Sequence, residues 1–522
     1  MERHRIALRG SSLRVLSLLA TTLIGFFLMP FLVHRLGERN YGYWVLVAAV
    51  LGYYGLLDLG IITAVQYEVA KSLGDKDPES VNRTISTAFY AFAMLGMAVF
   101  VLTVAVAYLS KFYIASASDI SLFRKVLLIT GAGFAVGFPG RAFMGATAAH
   151  LRFDITASIG ILVLIARSAL ILAIIGGGGG VVSLALISFF TETANYVLGY
   201  FALRRIQEGL RISTALASWR TFRGLFHYSG HALVIQISDQ IRFSIDGWMV
   251  GAFVGVSAVT HYAIAGRLSQ AFLALIIAIV GILSPWFSQL FGSADFDGIR
   301  RVFILGTKVS ASVSTIVALS LIFYGHVFIE KWMGQRYLDA YVPLVLLVLG
   351  IYCDVSQLPS VSYMFGVSRH RFLAGLTLAE AISNFGLSVY WARHYGMIGV
   401  ALGTLVPIAI AKILIQPFYV CRHLQISIGG YYVKLFGRSV VAPALISTFL
   451  WMACFRKLNL PNVGMVCAVI ILQALICAMA AFFFIFDKTE RNSMLKQVLG
   501  LLQASQPANA GGAVEITEVR NG

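Results

Sequence analysis

The sequence predicts an all-α protein that crosses a membrane many times. Of its 522 residues, 59% are hydrophobic and only 12% are charged, whereas soluble domains carry roughly a quarter charged residues. The mean hydropathy is +0.83. The apolar runs are long and continuous, whereas the strands of a membrane barrel alternate apolar and polar positions. About fourteen runs approach the roughly 20 residues that a membrane helix needs.

The fourteen predicted spans follow one another with short connections. They are Leu13–Val33, Tyr43–Val65, Ile85–Leu109, Val126–Ala148, Ile155–Ile175, Val181–Leu203, His227–Met249, Val259–Leu290, Val302–Phe328, Tyr341–Gly366, Leu373–Trp391, Met397–Val420, Leu435–Phe455 and Val463–Phe486. Pro139 and Pro359 interrupt the fourth and tenth spans, where a missing backbone N–H favours a kink.

The net charge of +17 reflects topology, because most basic residues lie in the short loops. Of the 40 lysines and arginines, 25 lie in alternate segments that include both termini, 10 in the other segments and 5 within spans. This bias predicts that both termini are cytoplasmic. It also argues against nucleic acid as a partner. The five scattered cysteines predict neither a disulfide framework nor a metal site.

The chain carries an internal repeat. Seven pairs of identical residues, 218 to 220 positions apart, are Gly37 and Gly255, Arg83 and Arg301, Pro139 and Pro359, Met144 and Met364, His150 and His370, Gly180 and Gly399, and Val181 and Val400. Each pair falls at matching places of two six-helix halves. An even number of helices keeps the two halves parallel, and such repeats usually hold the substrate site between them.

This repeat predicts the domain boundaries. The segments are an N-lobe at 1–203, a basic cytoplasmic loop at 204–225, a C-lobe at 226–421, two extra helices at 435–486 and a polar, disordered tail at 487–522.

The seventh span, His227–Met249, has one ionisable face. On a helix, Asp239, Asp246, Arg242 and His231 fall within roughly 80° of one another, and apolar side chains occupy the opposite side. Charges at membrane depth are costly and normally face a protein interior or a cavity filled with water. We therefore expect this helix to line a polar space.

Several short motifs resemble those of bacterial polysaccharide flippases. They are Pro30-Phe-Leu-Val-His-Arg-Leu-Gly37, Tyr41-Gly-Tyr-Trp44, Leu57-Asp-Leu-Gly60 and Gly366-Val-Ser-Arg-His-Arg-Phe372. These proteins export O-antigen and exopolysaccharide repeat units and belong to the multidrug/oligosaccharidyl-lipid/polysaccharide superfamily.

The resemblance implies two lobes that form a V around a central cavity. It also implies alternating access, by which an undecaprenyl-pyrophosphate-linked oligosaccharide crosses a bacterial inner membrane to the periplasmic leaflet. A monomer that works beside a polysaccharide polymerase and the chain-length machinery fits this expectation.

Such a substrate needs cations for its phosphates within the membrane. Arginine suits phosphate because its planar fork donates two charge-assisted hydrogen bonds. The candidates are Arg242 first, then Arg167 and Arg267, and then Arg141, and each could instead neutralise a buried acid. We expect no cofactor beyond a coupling proton or Na⁺.

Buried acids are the candidates for coupling to that ion. They are Asp239, Asp246, Asp354, Glu192 and Glu380. Asp239 and Asp246 lie three residues before and four after Arg242, so the three could equally form a structural ion-pair group. His227, His231 and Gln236 are predicted to line the cavity.

Three other functions compete with the flippase. A multidrug or cation antiporter should have a cavity dominated by acids, and a lipid II flippase of the same superfamily would share the fold. A membrane glycosyltransferase or polymerase needs a large extramembrane domain, yet the longest internal loop is 204–225. We therefore expect a transporter and not an enzyme.

Overall fold

Long helices interrupted at glycine or proline make up the structure, a computed structural model. It describes residues 2–58, 60–112, 117–225, 240, 245–280, 283–367, 369–455, 458, 460–488 and 490–491. Across these ranges there is no β-strand. The predicted all-α membrane fold is confirmed.

The described part of the first half contains eight helices. They are α1 Glu2–Leu36, α2 Glu38–Tyr54, α3 Ile61–Gly74, α4 Pro78–Leu109, α5 Ala117–Gly137, α6 Arg141–Ala149, α7 Phe153–Gly176 and α8 Val181–Ile206. The predicted second span thus consists of α2 and α3, and the predicted fourth consists of α5 and α6. The latter pair breaks at a short 3₁₀ turn containing Pro139.

The second half continues in the same manner. Its helices are α9 at 245–253, α10 Val256–Val280, α11 Leu283–Gly292, α12 Phe296–Trp332, α13 Tyr341–Ser356, α14 Leu358–Gly366, α15 His370–Ala409, α16 Gln416–Leu424, α17 Arg438–Leu450 and α18 Val463–Phe484. π-helical segments cover Ile410–Ile415, Gly430–Gly437 and Trp451–Phe455.

Within the described ranges, ten helical stretches are long and apolar enough to cross a membrane. Two predicted spans lie in one such stretch, Arg371–Leu424, because only Gly396 departs from helical geometry between them, with φ +57° and ψ −132°. The first span appears as the shorter apolar helix Ala20–Leu36. The seventh lies largely outside the described residues, so the count of fourteen stays a prediction.

Equivalent turns occur at matching positions of the two halves. Gly37 and Gly255, each just before the second helix of its half, have φ +79° and +128°, values that an L side chain rarely adopts. Pro139 and Pro359 likewise both lie where a long helix breaks.

Among the described helices, the two halves pack against each other most extensively along α2 and α10. A Cβ atom on Gly42 of α2 would lie 2.2 Å from the carbonyl oxygen of Val256 in α10, so only glycine permits this close approach. This contact lies at the end of the bundle where α1 finishes, which we call the Gly37 end. The opposite end, where α4 begins, is the Asp77 end.

Candidate functional site

The central cavity lies between the two halves and has a volume of about 500 Å³. Its wall comes from α1 and α2 of the first half and from α9, α10, α13 and α15 of the second. Most of the lining is apolar. The polar groups include Tyr41, Asp246, Tyr262, Arg267 and Thr404. The sequence prediction of a cavity lined by both halves therefore agrees with this arrangement.

Arg267 extends from α10 across the cavity to α1 of the other half. Its Nη2 lies 3.4 Å from the carbonyl oxygen of Thr21 and 3.3 Å from that of Thr22. Both are long hydrogen bonds. Within the described residues, no carboxylate forms an ion pair with this guanidinium.

Gly25 makes room for this guanidinium. A Cβ atom at position 25 would lie 1.8 Å from Nη2 of Arg267, which is inside van der Waals contact. The ring of Phe26 adds a cation–π contact, with its centroid 5.8 Å from the guanidinium carbon. The glycine thus permits the position that Arg267 adopts between the lobes.

Asp246 is buried on the wall of the same cavity and is held by hydroxyl groups. Tyr262 donates to Oδ2 over 2.6 Å, and the Thr404 hydroxyl lies 3.0 Å from the same oxygen. Asn384 donates to the Thr404 hydroxyl over 3.0 Å. The Asn384 Oδ1 atom is buried and finds no hydrogen-bond partner among the described residues. No described cation forms an ion pair with Asp246.

A second cavity of about 420 Å³ lies within the first half and shares Ala48 of α2 with the central cavity. Arg167 of α7 lines it and donates to Ser188 over 3.0 Å, with Glu192 at 3.5 Å. Arg141 lies over the Phe138 ring at 4.4 Å. Two predicted arginines thus share this second cavity with Glu192, while Arg267 lies in the central one.

Asp354 and Glu380 lie in neither cavity. The ammonium group of Lys412 is 3.4 Å from Asp354 and 3.3 Å from Glu380, and its side chain is 2% exposed. Lys412 belongs to the π-helical segment Ile410–Ile415. Sequence reasoning assigned no role to this lysine. Its separation of 220 positions from Glu192, another intramembrane charge, matches the repeat and could have indicated it.

The remaining predicted site residues belong to the seventh predicted span. Arg242, Asp239, His227, His231 and Gln236 all lie outside the described residues, so their predicted roles stay predictions. Within the described part of the chain, no group of three His, Cys, Asp or Glu side chains could hold a metal ion.

Sequence reasoning missed an ionic cluster at the Gly37 end, which we call the latch (Glu38, Thr260, His261, Arg336 and Asp339). Arg336 binds Glu38 with two contacts of 2.7 and 3.0 Å. His261 lies 2.6 Å from Asp339 and 3.5 Å from Glu38, and Thr260 donates to the Glu38 backbone over 2.7 Å. The latch joins the two halves, because Glu38 belongs to the first and its partners to the second.

Two halves that meet at one end enclose a cavity with a half-buried arginine and a buried aspartate, an arrangement that fits a membrane transporter. Solved structures support this class. The chain superposes on a structure described as "Lipid II flippase MurJ, inward closed conformation" with a TM-score of 0.68 and 15% sequence identity. The superposition covers 93% of this chain and 99% of that protein.

The chain belongs to the polysaccharide biosynthesis protein family, whose sequence profile matches residues 7–291, more than half of its length. It is 20% identical over 496 residues to the uncharacterized membrane protein EpsK of Bacillus subtilis (strain 168), which covers 93% of this chain and 97% of the relative. It is 21% identical over 408 residues to a putative O-antigen transporter of Shigella flexneri, which covers 76% of this chain and 94% of the relative. The predicted polysaccharide-flippase resemblance is confirmed.

Proposed function

We propose that this protein is a flippase that moves an undecaprenyl-pyrophosphate-linked oligosaccharide between the leaflets of a bacterial inner membrane. It supplies repeat units for the synthesis of a surface polysaccharide, and it carries out no covalent chemistry. The observation that carries the proposal is Arg267, a cation without a described ionic partner in a cavity between the two lobes.

The chemistry of the substrate explains why this position matters. A pyrophosphate must pass an apolar layer while its lipid tail stays among lipids. A guanidinium between the lobes offers charge-assisted hydrogen bonds that replace part of the lost hydration. Arg242 stays the first candidate for a second contact. Arg167 and Arg141 lie in the adjoining second cavity, where sugars or phosphate could reach them.

Alternating access requires that one end of the bundle close while the other opens. The latch supports closure at the Gly37 end, because it ties Glu38 of one lobe to His261 and Arg336 of the other. With both termini in the cytoplasm, the Gly37 end faces the periplasm. The described conformation then corresponds to a transporter that is closed to the periplasm.

We assign ion coupling to Asp246, with H⁺ or Na⁺ as the coupling ion. A carboxylate with no described cationic partner at membrane depth is costly, so it favours a proton or a bound cation. The buried Oδ1 of Asn384, which accepts no described hydrogen bond, lies in the same hydrogen-bonded group. Asp354 and Glu380 are weaker candidates because Lys412 already neutralises charge between them.

The rivals predict different cavities. A cation antiporter needs a cavity free of competing positive charge. Arg267 lies on the wall of the central cavity, so it disfavours this function. A lipid II flippase would carry the same pyrophosphate, so only the glycan distinguishes it from our proposal. Partnership with a polymerase and function as a monomer remain parts of the proposal.

Complementation tests the proposal. In a host that lacks its own flippase, the wild-type protein should restore surface polysaccharide, and Arg267→Ala should not, although it reaches the membrane at the same level. Arg301→Ala, which changes an exposed arginine at the Asp77 end, is the matched control. Normal polysaccharide with Arg267→Ala would refute the role of this arginine. Failure of the wild-type protein to complement several such hosts would refute the flippase assignment.

A further inference from the structure

The basic loop between the lobes is folded onto α4 instead of lying free. Asn82 donates to the Gly209 carbonyl over 3.0 Å and accepts from the Arg211 backbone over 3.2 Å. Ser86 donates to the Arg211 carbonyl over 3.1 Å. Asn82 and Ser86 lie one turn apart on one face of α4, so this face of the helix binds the loop at Gly209 and Arg211.

The loop rises along α4 towards the membrane. Its start is bound at Asn82, whereas the backbone N–H of Ser218 donates to Thr87 over 3.1 Å. Five residues of helix correspond to about 7.5 Å. Thr87 lies just within the apolar run that begins at Ile85. If this run begins at the membrane boundary, as its sequence predicts, the segment that follows Ser218 lies near the level where hydrocarbon gives way to headgroups.

That segment, residues 219–225, is helical and has two unlike faces. Leu225 is 1% exposed and packs into the core. On the opposite side lie Trp219, which is 74% exposed, and the exposed Arg220 and Arg223. The Trp219 ring stacks on Phe222 with centroids 5.1 Å apart. We call the outward face, made of Trp219, Arg220 and Arg223, the loop patch.

From this geometry we infer that the loop patch binds the anionic headgroups of the surrounding membrane leaflet. An indole ring has an apolar body and a polar N–H, and it prefers the boundary between hydrocarbon and water. Each arginine near an anionic surface favours binding about fivefold. The loop 204–225 carries five arginines and one acid, Glu208, which matches a negative partner.

This inference is independent of the proposed transport function. The loop connects α8 of the first lobe to the seventh span, so lipid bound at its end would lie where the chain passes from one lobe to the other. The lipid would hold this connection at the membrane surface.

Fluorescence quenching tests the inference on the full-length protein in proteoliposomes. The lipid is phosphatidylcholine with a constant fraction of phosphatidylglycerol, and the bromine label is carried by one lipid or by the other. The difference in tryptophan fluorescence between the wild type and Trp219→Phe gives the signal of Trp219 apart from that of the other six tryptophans. We expect brominated phosphatidylglycerol to quench Trp219 at least about twofold more than brominated phosphatidylcholine at equal mole fraction.

Two charge-matched double variants complete the test. Arg220→Gln with Arg223→Gln should bring the quenching ratio to about one, because the local attraction is lost. Arg371→Gln with Arg422→Gln removes two exposed arginines from the second half and should leave the ratio unchanged. A ratio of one in the wild type, no quenching of Trp219 by either lipid, or an equal loss in both double variants would overturn the inference.

Discussion

Replacing Gly25 with alanine should weaken the substrate site without touching a charged residue. The added Cβ atom would lie 1.8 Å from Nη2 of Arg267, so the guanidinium must move. The fold should tolerate the change, because the displaced atoms are the flexible end of a side chain. Loss of a hydrogen bond to a charged group costs about 1.5–3 kcal/mol. We therefore expect binding of a lipid-linked pyrophosphate to weaken about tenfold to a hundredfold.

The assay is binding of a lipid-linked pyrophosphate to purified protein in nanodiscs, for wild type, Gly25→Ala, Arg267→Gln and the double variant. Gly160→Ala is the matched control, because its Cβ atom would meet nothing closer than the Ser17 hydroxyl at 4.0 Å. Since the glycine acts through Arg267, the double variant should bind no more weakly than Arg267→Gln alone. Additive losses, or a normal affinity in Gly25→Ala, would refute this reasoning.

Three further substitutions test other parts of the structure. Glu38→Gln should weaken the latch by about 1–2 kcal/mol. A cysteine substituted at Val256, where α10 packs on α2 at the Gly37 end, should then react faster with an impermeant thiol reagent in a protein without other cysteines. An unchanged reaction rate would argue against a latch. Lys412→Met removes the cation that lies between the carboxylates of Asp354 and Glu380, so it should destabilise the protein by about 3–5 kcal/mol and lower its melting temperature in detergent. Lys412→Met with Glu380→Gln should recover part of that loss, and no recovery would contradict the pairing. Asp246→Asn should abolish the dependence of translocation on pH or Na⁺, and a retained dependence would exclude this residue as the coupling group.

Local patterns were sufficient to predict the fold. Runs of apolar residues identify membrane helices because the bilayer imposes a length and a polarity. Pro139 and Pro359 identify helix breaks because proline cannot donate the backbone hydrogen bond. Gly396 is different: its neighbours continue as helix on both sides, so the boundary between two predicted spans is reduced to a single residue with positive φ.

The site was predicted in part. Helical spacing and the free-energy cost of a charged side chain at membrane depth were sufficient to single out Asp246 and Arg267 as intramembrane ionisable residues. The partners of such residues come from distant helices, and helical spacing carries no information about them. Glu38 and His261 are 223 positions apart, and Lys412 meets acids from two other helices. The role of Gly25 depends on the reach of one arginine, which only the folded chain displays.

The most direct test is translocation by the purified protein in proteoliposomes. An undecaprenyl-pyrophosphate-linked oligosaccharide is placed in both leaflets, and its accessibility to an external glycan-modifying enzyme is followed over time. The wild-type protein should make the inner pool accessible much faster than in vesicles without protein, and Arg267→Ala should slow this by about tenfold to a hundredfold. Translocation no faster than in empty vesicles, or undiminished by Arg267→Ala, would contradict the proposal that the cavity between the lobes carries this substrate.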